Sequence, residues 1–190
     1  TITPSVSVVV QSGSFTYNSG GTLSPVPTFT HTAGTFTLGK AYALTATGTY
    51  TFTAGTLNLG GFNLTTGIFS SSGTSTRSIE FGTGNIVLAH TTAAQTVLAM
   101  ADATSFSNSG TGGFTADASV TRTYTFGTTG GAFNIAPNLS ITSGGQQPAI
   151  TSNSWFKVLN FTGSSTTPTA ATINVDTLTL SSGGTYTGLI

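Results

Sequence analysis

The chain contains no cysteine and very few charged side chains. Without cysteine, neither disulfide bonds nor thiolate metal sites are possible. Only four Lys or Arg and four Asp or Glu occur among 190 residues, and the formal net charge is zero. Because no basic surface can form to neutralise phosphates, we expect no nucleic-acid partner. Disordered chains combine high charge with low hydrophobicity, whereas 37% of these residues are hydrophobic, so we expect an ordered protein.

Longer sequence features are missing as well. No apolar run approaches the roughly 20 residues that a membrane helix needs, and the N-terminus lacks the basic-then-apolar order of a signal peptide, so we expect no membrane partner. The dipeptides Asn-Gly and Asp-Gly, which favour tight β-hairpin turns, do not occur. The chain starts at Thr1 without a methionine, and we expect it to be a segment of a longer protein or a processed product.

A repeat of about 21 residues organises what is present. The stretch Phe29-Thr-His-Thr-Ala-Gly-Thr-Phe-Thr-Leu-Gly39 recurs as Tyr50-Thr-Phe-Thr-Ala-Gly-Thr-Leu-Asn-Leu-Gly60, and a looser copy lies at Ser12 to Tyr17. Periods of this length are typical of stacked supersecondary units. Glycines divide the chain into strand-sized pieces rich in Thr, Phe, Tyr and Leu, about three in each period. Three strands per period with glycine corners predict a parallel β-helix, an all-β solenoid with turns of about 19 to 22 residues.

Two other all-β arrangements are weaker alternatives. A β-hairpin repeat fits the period but lacks its turn dipeptides, and a β-sandwich or jelly roll is the second alternative. Alternation in Thr56-Leu-Asn-Leu59 predicts core columns of Leu, Ile, Phe and Val with Thr and Ser ladders outside. Nine repeat centres, and therefore about nine turns, are predicted at Phe15, Phe36, Leu57, Ile79, Leu98, Tyr124, Leu139, Leu159 and Leu178.

The predicted organisation has two parts. Residues 1–28 form an N-terminal strand and entry segment, and residues 29–190 form the solenoid domain. The solenoid domain carries an irregular insertion around residues 89–113, where the pattern is weakest. Within it, Thr91 to Ala101 is the one plausible helix, with a loop over the rod as the alternative.

No motif in the sequence points to catalysis, and we predict no catalytic, cofactor-binding or metal-binding residues and no cofactor. Glycoside cleavage needs two carboxyl groups about 5 to 9 Å apart. Glu80 and Asp102 are the one candidate pair, since their spacing is close to one turn, but we favour isolated surface carboxylates or partners of Arg77 and Arg122. His31 and His90 lie far apart without a third ligand, which argues against zinc, and we interpret His31 as a strand residue.

Arginine and aromatic side chains are candidates for sugar binding. Arg77 and Arg122 occupy the same place in two Thr-Arg repeats, and we expect them to bind backbone carbonyls across a turn rather than a sugar. Trp155, with Tyr124 and Tyr186, offers possible aromatic platforms. The alternation around Trp155 instead predicts that at least some of its neighbours Phe156, Val158 and Leu159 are core residues.

Three asparagines match the N-glycosylation pattern. They are Asn63, Asn138 and Asn160. We favour stacking of these residues within the solenoid over modification, because nothing in the sequence supports a eukaryotic secretory setting.

The run from Thr56 to Ile86 resembles the Thr/Gly repeats in virion proteins of marine and other environmental tailed phages. The stretches from Trp155 to Gly163 and from Asn174 to Gly188 are similar to the same repeats. The resemblance implies an elongated, often trimeric fibre, appendage or decoration outside the capsid, and it carries over no catalytic residue.

Three functional hypotheses follow from this. The first is a structural, non-enzymatic protein of a phage virion exterior that contributes to host attachment. Its expected partners are copies of itself, a trimer being favoured, other virion proteins, and a host-surface glycan. The alternative is an extracellular adhesin or surface fibre of a cell. The third hypothesis, a β-helix enzyme that degrades polysaccharide, requires clustered carboxylates.

Overall fold

The chain winds as a three-faced parallel β-solenoid. A computed structural model describes residues 8–18, 25–117, 119–142, 148–162 and 172–181. This part of the chain contains β-strands throughout and no α-helix. The strands form three sheets in which paired strands are parallel and come from successive turns, of which there are about seven. The predicted parallel β-helix is therefore confirmed, and the hairpin repeat and the sandwich are excluded.

The strands, numbered in chain order, are listed here by face. Face 1 contains β1 (Val8–Val10), β3 (Thr28–His31), β6 (Thr49–Phe52), β9 (Ile68–Ser70), β12 (Gln95–Asp102), β15 (Arg122–Thr129) and β17 (Ala149–Ile150). Face 2 contains β2 (Ser14–Tyr17), β4 (Thr35–Leu38), β7 (Gly55–Asn58), β10 (Arg77–Gly82) and β13 (Phe106–Gly110). Face 3 contains β5 (Tyr42–Ala43), β8 (Leu64–Thr66), β11 (Ile86–Leu88), β14 (Gly113–Asp117), β16 (Asn138–Thr142), β18 (Ser154–Thr162) and β19 (Ile173–Ser181).

Columns of apolar side chains fill the interior. On face 1 the rings of Phe29, Tyr50 and Phe69 stack in register, with centroids 4.8 and 5.5 Å apart and planes tilted by 9° and 7°. On face 2, Phe36 lies next to Leu57, as the repeat predicts. All five side chains are fully buried, and each such burial contributes about 1.5 to 3 kcal/mol. The stacking of turn on turn therefore supplies the core.

Hydroxyl groups form the matching ladder on the outside of face 2. One outward column holds a Ser or Thr in every strand of that face. Its members, in register from β2 to β13, are Ser14, Thr35, Thr56, Ser78 and Ser107. The predicted outer ladder of Thr and Ser is confirmed, and on this face it is continuous over five layers.

Glycine is required where one corner lies on another. Gly34 and Gly55 both have positive φ, +76° and +98°, a backbone conformation that residues with a side chain rarely adopt. A Cβ atom on Gly55 would lie 2.2 Å from the carbonyl oxygen of Gly34, in the turn below. The close contact between corners explains why the repeat keeps glycine at this position.

The turns are not all the same length. Among the early turns, register partners such as Phe36 and Leu57 are separated by 19 to 22 residues. The separation rises to 25 to 29 residues in the strand pairs that begin with β9–β12 and end with β15–β17. The predicted count of nine turns is wrong for this reason. Leu98 lies on face 1, opposite Phe69, and the face 2 partner of Ile79 is Asn108. Seven layers at ~4.8 Å spacing make a rod on the order of 30 Å long.

The segment from Thr91 to Ala101, predicted as a helix or a loop, contains most of strand β12. Its register shifts between Thr96 and Leu98, which is a β-bulge, and both Val97 and Leu98 are buried. A bulge places two successive side chains on the same side of the strand and so destroys the alternation of a regular strand. This loss of alternation explains why the sequence pattern did not indicate a strand.

Candidate functional site

Glu80 and Asp102, the candidate carboxylate pair, lie on different faces. Glu80 is in β10 on face 2, where its Oε2 accepts a hydrogen bond from Asn58 Nδ2 at 2.6 Å. Asp102 ends β12 on face 1, and its Oδ1 accepts a hydrogen bond from the backbone N–H of Thr104 at 2.8 Å. Hydrogen bonds from the side chain and backbone of Thr104 lower the pKa of Asp102. Each carboxylate therefore has its own partner, as expected for isolated groups.

His31 is a core residue rather than a ligand. It is fully buried on face 1, opposite Phe52, and its ring packs on that phenyl ring at 4.9 Å. In the neutral ring, Nε2 donates to the carbonyl oxygen of Gly34 and Nδ1 accepts from the Tyr50 hydroxyl, both at 3.2 Å. Burial lowers the pKa of His31, which favours this neutral form. Among the described residues, no three His, Asp or Glu side chains come together to hold a metal ion.

Arg77 is fully buried and binds backbone carbonyls, as expected. Two of its hydrogen bonds, both at 3.0 Å, join Nη2 to the carbonyl oxygens of Asp102 and Thr104 in the next turn. Its other carbonyl acceptors are in its own turn: Ser71, Gly73 and Ser75. The guanidinium therefore connects the corners of two consecutive turns, and it is not available to a ligand at the surface.

The predicted aromatic platforms separate into buried and accessible residues. Tyr124 is buried, as are Phe156 and Leu159. Trp155 is half-buried, and its ring meets that of Phe133 edge to face, with centroids 4.8 Å apart. Phe133 is 42% exposed, so this pair presents an apolar surface to solvent. Tyr186 lies outside the described residues.

Of the three predicted asparagines, Asn63 and Asn138 lie in one column with Asn85 and Gly113 between them, whereas Asn160 lies in another column opposite Ser140, so the predicted stacking of these residues on one another is wrong. The backbone N–H of Asn85 donates to Asn63 Oδ1 at 2.9 Å, and the backbone N–H of Gly113 donates to Asn85 Oδ1 at 3.1 Å. Asn138, opposite Gly113 in the next layer, donates from Nδ2 to the carbonyl oxygen of Thr111 at 3.2 Å. These side chains satisfy backbone groups between turns, which gives them a structural role that needs no attached sugar.

A polar groove of about 370 Å³ opens where face 2 ends. In the described part of the chain β13 is the last strand of this face, and residues 130–137, which follow β15, contain no strand. Its lining includes three amides, two hydroxyls and one cation, together with the backbone of two glycines: Asn108, Asn134, Asn138, Ser109, Thr111 and Lys157. Its volume lies within the range of about 300 to 1,000 Å³ that is usual for small-molecule sites.

No local sequence pattern predicts this groove. Its lining residues come from β13, from the segment before β16 and from β18, in turns whose length differs from the 21-residue repeat. One detectable signal is Asn108, which occupies the column of Phe36, Leu57 and Ile79. A polar residue in an apolar column becomes visible only when the register is known.

Both ends of the described solenoid expose residues of the core columns. Phe15, on β2, stacks on Phe36 at 5.5 Å and is 42% exposed. At the other end, Leu178 and Leu180 on β19 are 36% and 43% exposed, although their partners Leu159 and Phe161 in β18 are fully buried. The two ends therefore present apolar surface along the rod axis.

Comparison of the chain with protein-family models, with curated proteins and with solved structures finds no match. In the described ranges, no helix has the length and apolar character that a membrane crossing requires.

Proposed function

We propose that this chain is a structural, non-enzymatic component of the exterior of a phage particle, as a fibre, an appendage or a capsid decoration. The observation that carries the proposal is the repeat itself. Its recurring positions hold apolar residues inside and Ser, Thr or Asn outside, as in the column from Ser14 to Ser107. Such a sequence builds a stiff rod with a hydrated, nearly uncharged surface. A rod of this kind suits a protein that projects into water from a large assembly.

The apolar ends support assembly with neighbours. Phe15 at one end, and Leu178 and Leu180 at the other, are side chains of the core columns that the described residues leave partly exposed. Further layers above and below would bury them, as each turn of the solenoid buries the next. We propose copies of the same chain, with a trimer favoured, and other virion proteins as these neighbours.

Localisation on purified particles tests the proposal. Antibodies raised against the chain should label particle exteriors in electron micrographs, and mass spectrometry of the same particles should detect its peptides. Labelling of cell surfaces with no signal on particles would overturn the proposal in favour of a cellular adhesin. Sedimentation of the purified chain measures the oligomer, and a monomer at all concentrations would contradict the trimer.

A further inference from the structure

The groove at the end of face 2 results from a missing strand. In the described part of the chain no strand follows β13 on face 2, because residues 130–137 form turns instead. Asn108 Nδ2 donates to the carbonyl oxygen of Ile135 at 2.5 Å. The backbone N–H of Lys157 donates to the carbonyl oxygen of Pro137 at 3.0 Å. The segment is thus held from β13 on one side and from β18 on the other, so the groove has fixed walls.

The residue that reaches inward at the groove is polar. The column of Phe36, Leu57 and Ile79 is fully buried, and the next residue in register is Asn108, which is only half-buried. Continuing this column with an apolar residue would extend the core and close the gap. Departures from an otherwise consistent core pattern are expected at functional sites. The presence of Asn108 in this apolar column therefore indicates that the groove is a functional site rather than a packing defect.

Two classes of occupant fit the groove poorly. An extended peptide would have to pair with the free edge of the sheet along residues 108–112. That edge is already covered in part, because Asn138 Nδ2 donates to the carbonyl oxygens of Thr111 and Gly112 at 3.2 and 3.4 Å. Clustered cations favour phosphate-bearing ligands, and Lys157 is the one cation in the lining. Asp176, on β19 beside the register position of Lys157, further reduces any net positive charge there.

We propose that the groove binds a neutral sugar unit of a surface glycan. Sugar hydroxyls both donate and accept hydrogen bonds, and amide side chains, hydroxyls and backbone groups of glycine match both roles. The contacting rings of Phe133 and Trp155 are close in sequence to the lining, since Phe133 precedes the lining residue Asn134 and Trp155 is two residues before Lys157. Aromatic surface of this kind packs against the apolar face of a sugar ring. This inference rests on the proposed role at the exterior of a phage particle and adds to it host attachment at a particular site.

Binding is tested with the purified chain on an array of immobilised bacterial surface glycans. The bound glycan, in soluble form, is then titrated while the fluorescence of Trp155, the one tryptophan of the chain, is followed. We expect saturable binding and a change in emission. The double variant Lys157→Ala with Asn134→Ala should bind at least tenfold more weakly, because both side chains line the groove and are exposed. Ser109→Tyr, which fills the groove from β13, should abolish binding.

The matched control is Lys40→Ala, which removes the other lysine of the chain, located over the Tyr17 ring on the opposite part of the rod. Its affinity should equal that of the unmodified chain, and thermal melting of every variant should be unchanged. Absence of binding to all glycans, or equal binding by the control and the groove variants, overturns the inference. Either result leaves the particle-labelling experiment unaffected, so failure of the groove and failure of the virion role can be told apart.

Discussion

Replacing Arg77 with methionine should strongly destabilise the solenoid. Methionine keeps a long apolar stem but removes every donor of the guanidinium. Five backbone carbonyls would lose their partner, three in the corner before β10 and two in the corner of the next turn: Ser71, Gly73, Ser75, Asp102 and Thr104. Because the two corners belong to consecutive turns, the change affects the contact between turns as well as the local loop.

The magnitude follows from how accessible these carbonyls are to water. The Ser71 carbonyl lies in a buried hydrogen bond, and losing a partner in such a site costs about 1 to 3 kcal/mol. The other four bonds are partly buried, so water replaces the guanidinium there at smaller cost. Removing a buried cation also relieves its desolvation, which is the main cause that lowers the pKa of Arg77. The balance is a loss of about 1 to 3 kcal/mol, determined mainly by the buried Ser71 carbonyl.

Urea unfolding followed by circular dichroism measures this loss, with Lys157→Ala as the exposed-cation control. Arg77→Lys should be intermediate, because one ammonium with three donors cannot reach both corners. Hydrogen exchange should show lost protection in residues 71–76 and 102–105 before the rest of the rod. If Arg77→Met unfolds within about 0.5 kcal/mol of the control, the guanidinium does not hold the two turns together and the reasoning fails.

Two further predictions concern a corner and the core. Gly84→Ala should lower the free energy of unfolding by about 2 to 3 kcal/mol, because its Cβ would lie 2.1 Å from the carbonyl oxygen of Phe62. Thr83→Ala, at the exposed neighbouring residue, should be neutral in the same urea assay. Equal unfolding midpoints for the two variants would contradict the corner contact. Stability should fall as pH drops from about 7 to 5, since burial lowers the pKa of folded His31 while the unfolded ring takes up a proton near its ordinary value of 6.5. His31→Phe, which copies Phe52 of the next layer, should remove that part of the pH dependence, and an unchanged slope would exclude His31 as its source.

The fold could be predicted because the repeat specifies a layer. Phe29 and Tyr50 are aligned by the sequence repeat and stack in the structure, and the corner Gly34 recurs in the repeat because the next corner touches it. Prediction failed where turn length changed. Around β12 a bulge and longer turns shift the residues relative to the period, so the predicted repeat centre Leu98 aligns with Phe69 on face 1 rather than with the preceding centre Ile79.

The candidate groove could not be predicted from any local pattern. Asn108 and Lys157 meet at the groove only because the described chain between them forms strands on faces 1 and 3 and none on face 2. The acceptors of Arg77 in the next turn are likewise set by the register between turns rather than by neighbouring sequence. Sequence spacing predicted contacts well while the period was constant, and lost them once successive turns differed in length.

The interruption of face 2 also has a mechanical consequence. In a parallel solenoid the hydrogen bonds between strands run from turn to turn along the rod, so tension on the rod pulls directly on them. In the early described turns, three rows of backbone hydrogen bonds, one on each face, share that tension. Examples are the pairs β6–β9, β7–β10 and β8–β11. Above β13 the described strands continue only on faces 1 and 3, so two rows of backbone hydrogen bonds carry the tension. A rod pulled from its ends should therefore part first at this level, next to the groove.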